Sequence, residues 1–560
     1  MDATFATMMR RVLCLILALS ALAAPARAKD ELVVAMTQTP GTWNPLISSM
    51  LAKSLISNMT ARPITAYDAN SQLVCLACTE LPTIENGKAR VVDLPDDGKG
   101  GGKKGMEVDV ELRDLKWGDG VPVTAKDVAF TIEVGKHPLS GVASSEGYRR
   151  IIKFDVKDDR HFTMTNDRVT FDYNAIALSL LPAHIEKPIF DANPAEYRNK
   201  TAFDTQSTNP GLAFGPFRIV EIVPGSRIVL EQNPTWTGEK PHFKRITVKI
   251  IENTAALEAN LLSGNVDYIF GELGLSLDQV LAFEKRHQDE YVFIYKPALI
   301  YEHIDTMLDN PLLADRKVRQ ALLMAIDRKA INDKLFEGKQ PVSDGPISPL
   351  DPMYSDAARH YPYDAAAARK LLDEAGFKEI KNGVRQNPKG DRLSLEITTT
   401  AGNRVRELVA QVIQSQLRQV GVEVRIKAEP PRIFSEALNR RQFSGLAMYA
   451  WVQQPQGVPR TILHSKEIPA AENGWSGQNY PGYKNPDMDK ALDDAERELD
   501  DKKRRGLFAD IQRIHAEDLP VLPLFFRVDP FVIPKPLKGV VPTGHLNSST
   551  LWVEQWRWED

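Results

Sequence analysis

Residues 393–400 (LSLEITTT) alternate apolar and polar positions by two, the period of a half-buried strand. The period then becomes helical. Val405, Leu408, Val409, Val412, Ile413, Leu417 and Val420 share one face of a helix predicted over residues 404–420. Gly421 stops it, residues 422–427 (VEVRIK) alternate again, and a short helix fits residues 433–440. An apolar run, Leu446 to Ala450, then ends in Trp451 and a polar, Pro-broken loop, Val452-Gln453-Gln454-Pro455. Strand–helix–strand–helix–strand order predicts a parallel, doubly wound sheet. Such sheets bind ligands beyond the carboxyl ends of their strands. Trp451 stands at one such end, so it and its loop are expected to line a ligand site.

A second unit of this kind lies far upstream. Residues 246–251 (ITVKII) form a strand, Asn253 caps a helix over residues 254–263, Gly264 ends it, and residues 266–270 form the next strand. Two separated units predict two lobes. The strand Glu31–Met36 opens the first lobe and runs into Thr37-Gln38-Thr39-Pro40 and Thr42-Trp43-Asn44-Pro45. Polar and aromatic residues there read as a second wall of a cleft, or as a plain loop with a packed Trp43. A helix follows over residues 46–59. Between residues 65 and 202 short strands dominate, at 107–112, 153–156 and 162–166, predicting an inserted, mostly antiparallel subdomain. Residues 96–105 (DDGKGGGKKG) read as a solvated loop, and their spacing does not make a phosphate loop. In the second lobe, residues 301–308 form an entering strand. Val318, Ala321, Leu322, Ala325, Ile326 and Ile331 mark one amphipathic helix, residues 364–375 another, and residues 488–518 a long charged one. Residues 521–526 return to strand character.

The amino terminus differs in composition from the rest of the chain. Arg10-Arg11, an apolar run of Val12 to Ala24 and Ala26-Arg27-Ala28 have the pattern of a cleavable secretory signal peptide over residues 1–28. That segment carries three Arg and one Asp, so its removal makes the formal charge of −4 more negative. No basic stripe remains, which argues against nucleic acid as a partner. No other apolar run reaches the length of a membrane span. Cys14 leaves with the signal peptide; Cys75 and Cys78 remain, in an exported chain. They form a tight disulfide if the backbone turns there, or two free thiols. A metal site would need two more soft ligands, and a redox motif would need to open a helix.

Chemistry is thin elsewhere. There is no G-x-S-x-G turn and no H-E-x-x-H helix, and the 10 His are scattered. The chain reads as a binder rather than an enzyme, with a secreted hydrolase as the distant alternative. No cofactor, metal or catalytic residue is assigned. Closure of two lobes on a solute needs aromatic surface and a few polar groups. Trp43, Tyr449, Trp451 and Tyr480 are candidates for the first, and Thr37, Gln38, Gln454, Gln478 and Asn479 for the second.

Several motifs, in order, resemble one family. Residues 115–130 (LKWGDGVPVTAKDVAF) are similar to a family stretch F-x-D-G-x-P-L-T-A-x-D-V. Phe214-Gly215-Pro216-Phe217 with Asn233 and Trp236, Ser263-Gly264-Asn265-Val266-Asp267, residues 315–327 (DRKVRQALLMAID), and Asn485-Pro486 with Asp489 match further family patterns. The chain resembles the extracytoplasmic solute-binding proteins of dipeptide and oligopeptide ABC transporters, the large family 5 class that also holds nickel, glutathione and oligosaccharide binders. The resemblance implies an α/β, two-lobed type II periplasmic-binding-protein fold with an extra mostly-β subdomain in the first lobe. It divides the chain into residues 29–64, 65–202 and 203–298 for the first lobe, 299–520 for the second, and 521–560 for a return to the first. It implies a periplasmic monomer that takes a peptide-like solute and hands it to permease subunits at the inner membrane. Peptide binders of the family usually carry an Asp three residues after this Trp, pairing with the solute's α-amine; here the residue is Gln454. A buried ammonium without a counter-charge is penalised. Either another carboxylate, for which Asp305 is the candidate, meets the amine, or the solute is a non-peptide compound such as an oligosaccharide or metal chelate. The plainer reading of Asp305 is an ordinary strand-end or hinge residue.

Overall fold

The structure, a computed structural model, describes residues 29–95 and 103–559. The expected signal peptide and most of the expected loop 96–105 lie outside the described residues; Lys104 and Gly105 already belong to the strand Lys104–Glu111. The first lobe is built on Glu31–Met36. This strand lies parallel between Arg245–Ile250 and Tyr268–Ile269, and Arg227–Gln232 and Phe217–Val223 extend the sheet antiparallel. Alternation sends its side chains to two covered faces. Leu32, Val34 and Met36 pack on Leu55, Ile56 and Met59 of the helix Leu51–Thr60. Ala35, on the other face, meets Leu257 and Leu261 of the helix Thr254–Leu262.

The second lobe has the predicted parallel unit. Glu423–Glu429, Ser394–Thr400 and Leu446–Val452 are adjacent and parallel. The helix Arg404–Gln419 buries Val409, Ala410, Ile413 and Leu417 in a core with Leu395, Ile397 and Met448. The helix Pro431–Asn439 covers the other face, placing Phe434 and Leu438 against Ala447 and Tyr449. Two elements break where periodicity predicts continuity. The helix through Val318 and Ile331 is two, Arg316–Met324 and Arg328–Phe336, because Asp327 leaves the helix and caps the Ala330 N–H at 2.8 Å. The charged stretch is also two helices, Pro486–Arg497 and Asp501–Asp518, the second capped by Asp500.

The insertion in the first lobe carries a four-stranded antiparallel sheet, Ala89–Asp93, Lys104–Glu111, His161–Asn166 and Ile151–Val156. It also holds the helix Ala125–Lys136, started by a capping box of Thr124 and Asp127. Both lie in the 115–130 motif, whose Trp117 is fully buried on Phe214 with centroids 4.8 Å apart. Gly118 has a steric reason: a Cβ there would sit 2.4 Å from Pro210 O. Cys75 and Cys78 are disulfide-bonded, with Cα atoms 5.2 Å apart.

Two long antiparallel strands join the lobes. Tyr291–Thr306 pairs with Val521–Pro534 along both halves, with a register shift between Pro297 and Tyr301. The strand expected at residue 301 therefore begins ten residues earlier. Phe531 and Ile533 enter the first lobe's core, while Ile304, Leu522, Leu524 and Phe525 enter the second's. Phe531 is fully buried, and a Cβ on Gly271 would lie 2.4 Å from its ring. Phe531→Ala should cost the first lobe about 3–5 kcal/mol. Denaturant unfolding followed in that lobe checks this; a loss below about 1 kcal/mol would contradict the packing.

Candidate functional site

The carboxyl end of Leu446–Val452 places Tyr449 and Trp451 on one face. The antiparallel register sets Tyr449 opposite His303 and Trp451 opposite Tyr301. Tyr449 Oη donates to Asp305 Oδ2 at 2.6 Å, and the His303 ring lies edge-on to Tyr449 at 4.4 Å. His303 Nε2 is 3.4 Å from Asp305 Oδ1. Burial, and then the Asp305 charge, hold the Tyr449 phenol well above its ordinary pKa, so it is a donor. Tyr480 lies 5.8 Å from Trp451 and donates from Oη to Asn439 Oδ1 at 2.7 Å. Asp305, His303, Trp451, Gln478 and His515 line a pocket of about 240 Å³. Burial lowers the His515 pKa to about 4, so that imidazole is neutral.

A larger cavity, about 790 Å³ and open to solvent, lies between the lobes. Thr37, Gln38 and Glu272 come from the first lobe, Thr400 and Asn403 from the second, and Arg527 and Asp529 from the joining strand. Asn403 Oδ1 caps the helix Arg404–Gln419, so this wall is a helix N-terminus. Beside it Glu302 is buried between two guanidinium groups. Arg406 Nε donates to Oε1 at 2.7 Å and Arg527 Nε to Oε2 at 2.8 Å. Burial alone would raise the Glu302 pKa; the two arginines outweigh it and hold it at about 2.

The sequence candidates thus separate. Asp305, Trp451 and Gln478 share the small pocket, with Tyr449 and Tyr480 packed around Trp451. Thr37 and Gln38 line the large cavity. Gln478 Nε2 reaches Ser49 Oγ in the first lobe at 3.0 Å. Gln454 is half-buried in the loop after Trp451, where its carbonyl accepts from the Gly457 N–H at 3.2 Å. Asn479 is fully buried, and its amide is engaged by the His464 and Tyr483 carbonyls and the Tyr483 N–H. Trp43 lies elsewhere, lining a cavity of about 560 Å³ within the first lobe. Its loop is organised by Lys53, whose buried ammonium donates to the carbonyls of Asn44, Pro45, Ile47 and Ser48. Burial lowers the Lys53 pKa to about 7. Periodicity did not single out Glu272, Glu302, Arg406, Arg527 or Asp529. For two of them a signal existed: Arg527 and Asp529 are the charged residues of an otherwise apolar 14-residue strand.

A buried ionic cluster closes the lobes on another side. Arg150 and Arg168 of the insertion both contact Glu496 of the second lobe, and Arg460 Nε lies 3.3 Å from Glu146 Oε1. Arg149 Nη2 meets Glu467 Oε1 at 2.9 Å. Among the described residues, no helix is long and apolar enough to cross a membrane.

Residues 103–469 match the family model of bacterial extracellular solute-binding proteins, family 5 (middle region), and the chain belongs to that family. Its fold is the family's two-lobed α/β fold. The chain is similar to the oligopeptide-binding protein AppA of Bacillus subtilis, 28% identical over 524 residues, covering 91% of this chain and 88% of that one. It is 22% identical over 548 residues to the nickel-binding periplasmic protein of Escherichia coli, covering 95% and 96%. The crystal structure of an oligopeptide-binding protein from Thermus thermophilus, complexed with a pentapeptide, superposes with a TM-score of 0.86 at 30% identity, covering 95% of this chain and 96% of that one.

The ionic cluster makes a prediction. Arg150→Ala removes one of the cations on Glu496 and should cost the closed arrangement about 3 kcal/mol. Small-angle scattering should then show a larger radius of gyration than the wild type; an unchanged radius would contradict a latch at this place.

Proposed function

We propose that this chain is a periplasmic receptor that captures a peptide or peptide-like solute between its lobes and delivers it to an ABC permease for import. The observation that carries this reading is the cavity of about 790 Å³ walled by both lobes and by the strand joining them. A solute there touches both halves, so its binding energy favours closure. Membership of the family and the peptide-binding relatives support the solute class. Residues 1–28 act as a cleavable signal peptide, and the mature chain works as a monomer with a Cys75–Cys78 disulfide. It does no bond chemistry: its role is binding and release. In this reading Thr37 and Gln38 contact the solute in the large cavity, and Trp451, Gln478 and the loop at Gln454 do so at the second lobe's wall. Residues 299–520 make the lobe that moves.

The α-amine of a peptide lacks its usual partner at Gln454. Asp305 is the candidate substitute, although it is buried and its Oδ2 already accepts from Tyr449. This favours, as a second reading, a solute without a free amine, the nickel-binding relative being one precedent for non-peptide cargo. Calorimetric titration of protein stripped of co-purified solute separates the two. If peptides are the cargo, free-amine peptides bind and Trp451→Ala weakens them by about 10-fold or more. If N-acetylated peptides or non-peptide solutes bind better, the second reading stands. If no small solute binds, both fail. In the second reading Gln454→Asp leaves affinity unchanged or weaker; a large gain for free-amine peptides would count against it.

A further inference from the structure

The large cavity contains buried acceptors that no group of the chain satisfies. Asp529 is 4% exposed and makes no side-chain hydrogen bond; its Oδ2 is completely buried and unpartnered. Glu272 is 7% exposed: Oε1 accepts from the Ser549 N–H at 2.8 Å, and Oε2 has no hydrogen bond. Gln340, on the opposite lobe, leaves its buried Oε1 unpartnered as well. All three residues line the same cavity. An unsatisfied buried acceptor is costly, more so when it is charged, so three in one cavity suit a ligand that brings several donors. The cavity's own cations do not supply it. Arg527 is turned to Glu302, and Arg404 is exposed. Among the described residues no three His, Cys, Asp or Glu side chains are grouped to hold a metal ion. The complementary ligand is therefore an organic cation with several N–H donors.

We infer that Asp529 and Glu272, with Gln340 facing them from the second lobe, form a subsite for a basic side chain of the solute, an alkylammonium or a guanidinium. The inference rests on the peptide reading above and narrows it: the preferred cargo carries a lysine- or arginine-like group. Hydrogen bonds from such a cation join the joining strand, the first lobe and the second lobe through one ligand atom cluster. The subsite thereby selects cargo and favours closure together. Burial, reinforced by the Glu272 charge and opposed by Arg527, raises the Asp529 pKa to about 8. Burial also raises that of Glu272, against two contacts from Ser549. The other charged groups facing them are Glu252 and Arg404 at the cavity wall and Arg527 itself. A bound cation favours the ionised carboxylates, so its binding expels a proton, and affinity rises as pH is raised from 6 to about 8.

The test titrates the stripped full chain with short peptide pairs that differ at one position, lysine against norleucine. At one position lysine should bind at least about 10-fold more tightly, the scale of one or two charge-assisted hydrogen bonds. Titrations in buffers of different ionisation enthalpy should show proton release at pH 7 for the lysine member alone. Asp529→Asn should bring the ratio close to one, and Glu272→Gln, a second variant should the first not fold, should lower it. Equal affinities at every position, or a preference that survives both variants, would overturn the subsite while leaving peptide capture standing. Absence of binding in both series would overturn the peptide reading and the subsite with it.

Discussion

The structure depends on one pair of strands. Tyr291–Thr306 and Val521–Pro534 hydrogen-bond along both halves, and their side chains belong to the core of one lobe at one end and of the other lobe at the other. Neither lobe buries its interior without them, so the lobes cannot separate. The pairing is interrupted by register shifts between Pro297 and Tyr301 and between Glu302 and His303. The loop after Trp451 is tied into the first of these: Gln453 N–H donates to Leu299 O at 2.9 Å, and Leu546 N–H donates to Gln453 O at 3.0 Å.

Electrostatics divides the junction into paired ions and carboxyl groups that lack a cation. Glu302 is neutralised by Arg406 and Arg527, which pins the joining strands to the first turn of a second-lobe helix. The Arg150, Arg168, Glu146, Arg460 and Glu496 cluster is likewise paired, and it spans the lobes. Burying such ions is costly unless every charge is matched, which makes closure dependent on bringing both sides together. Asp529 and Glu272 break this pattern. They are as buried as the paired groups, yet they face a cavity instead of a cation. The chain thus carries paired charge where its two lobes meet and leaves two carboxyl groups without a cation at the cavity between them.

Much of this was legible in the sequence, and what was not has physical reasons. The parallel unit ending at Trp451 is readable because a two-residue period, a 3.6-residue period and glycine stops alternate cleanly between residues 393 and 452. The break at Asp327 is hidden because Val318 and Ile331 still fall on one apolar face; only the capping carboxylate reveals it. Trp43 reads from its place after the first strand either as a cleft residue or as a packed loop Trp, and it packs on the first lobe's core beside a cavity within that lobe. Asn479 looked like a polar ligand group, and its amide is used by the turn that presents Tyr480. The ordered motifs certified the family, since Trp117, Gly118 and Asp127 are all tied to packing and capping. They say little about the cavity between the lobes, because its lining comes from residues distant in sequence.

A solute enclosed between the lobes and bound without covalent change leaves the protein with its mass intact. Native mass spectrometry of the purified chain, with its co-purified cargo in place, tests it most directly. The expected result is a one-to-one non-covalent adduct of peptide-like mass that is lost intact on denaturation. A chain that carries no adduct and acquires none from peptide or other small-solute mixtures, or one that returns its solute cleaved, would contradict it.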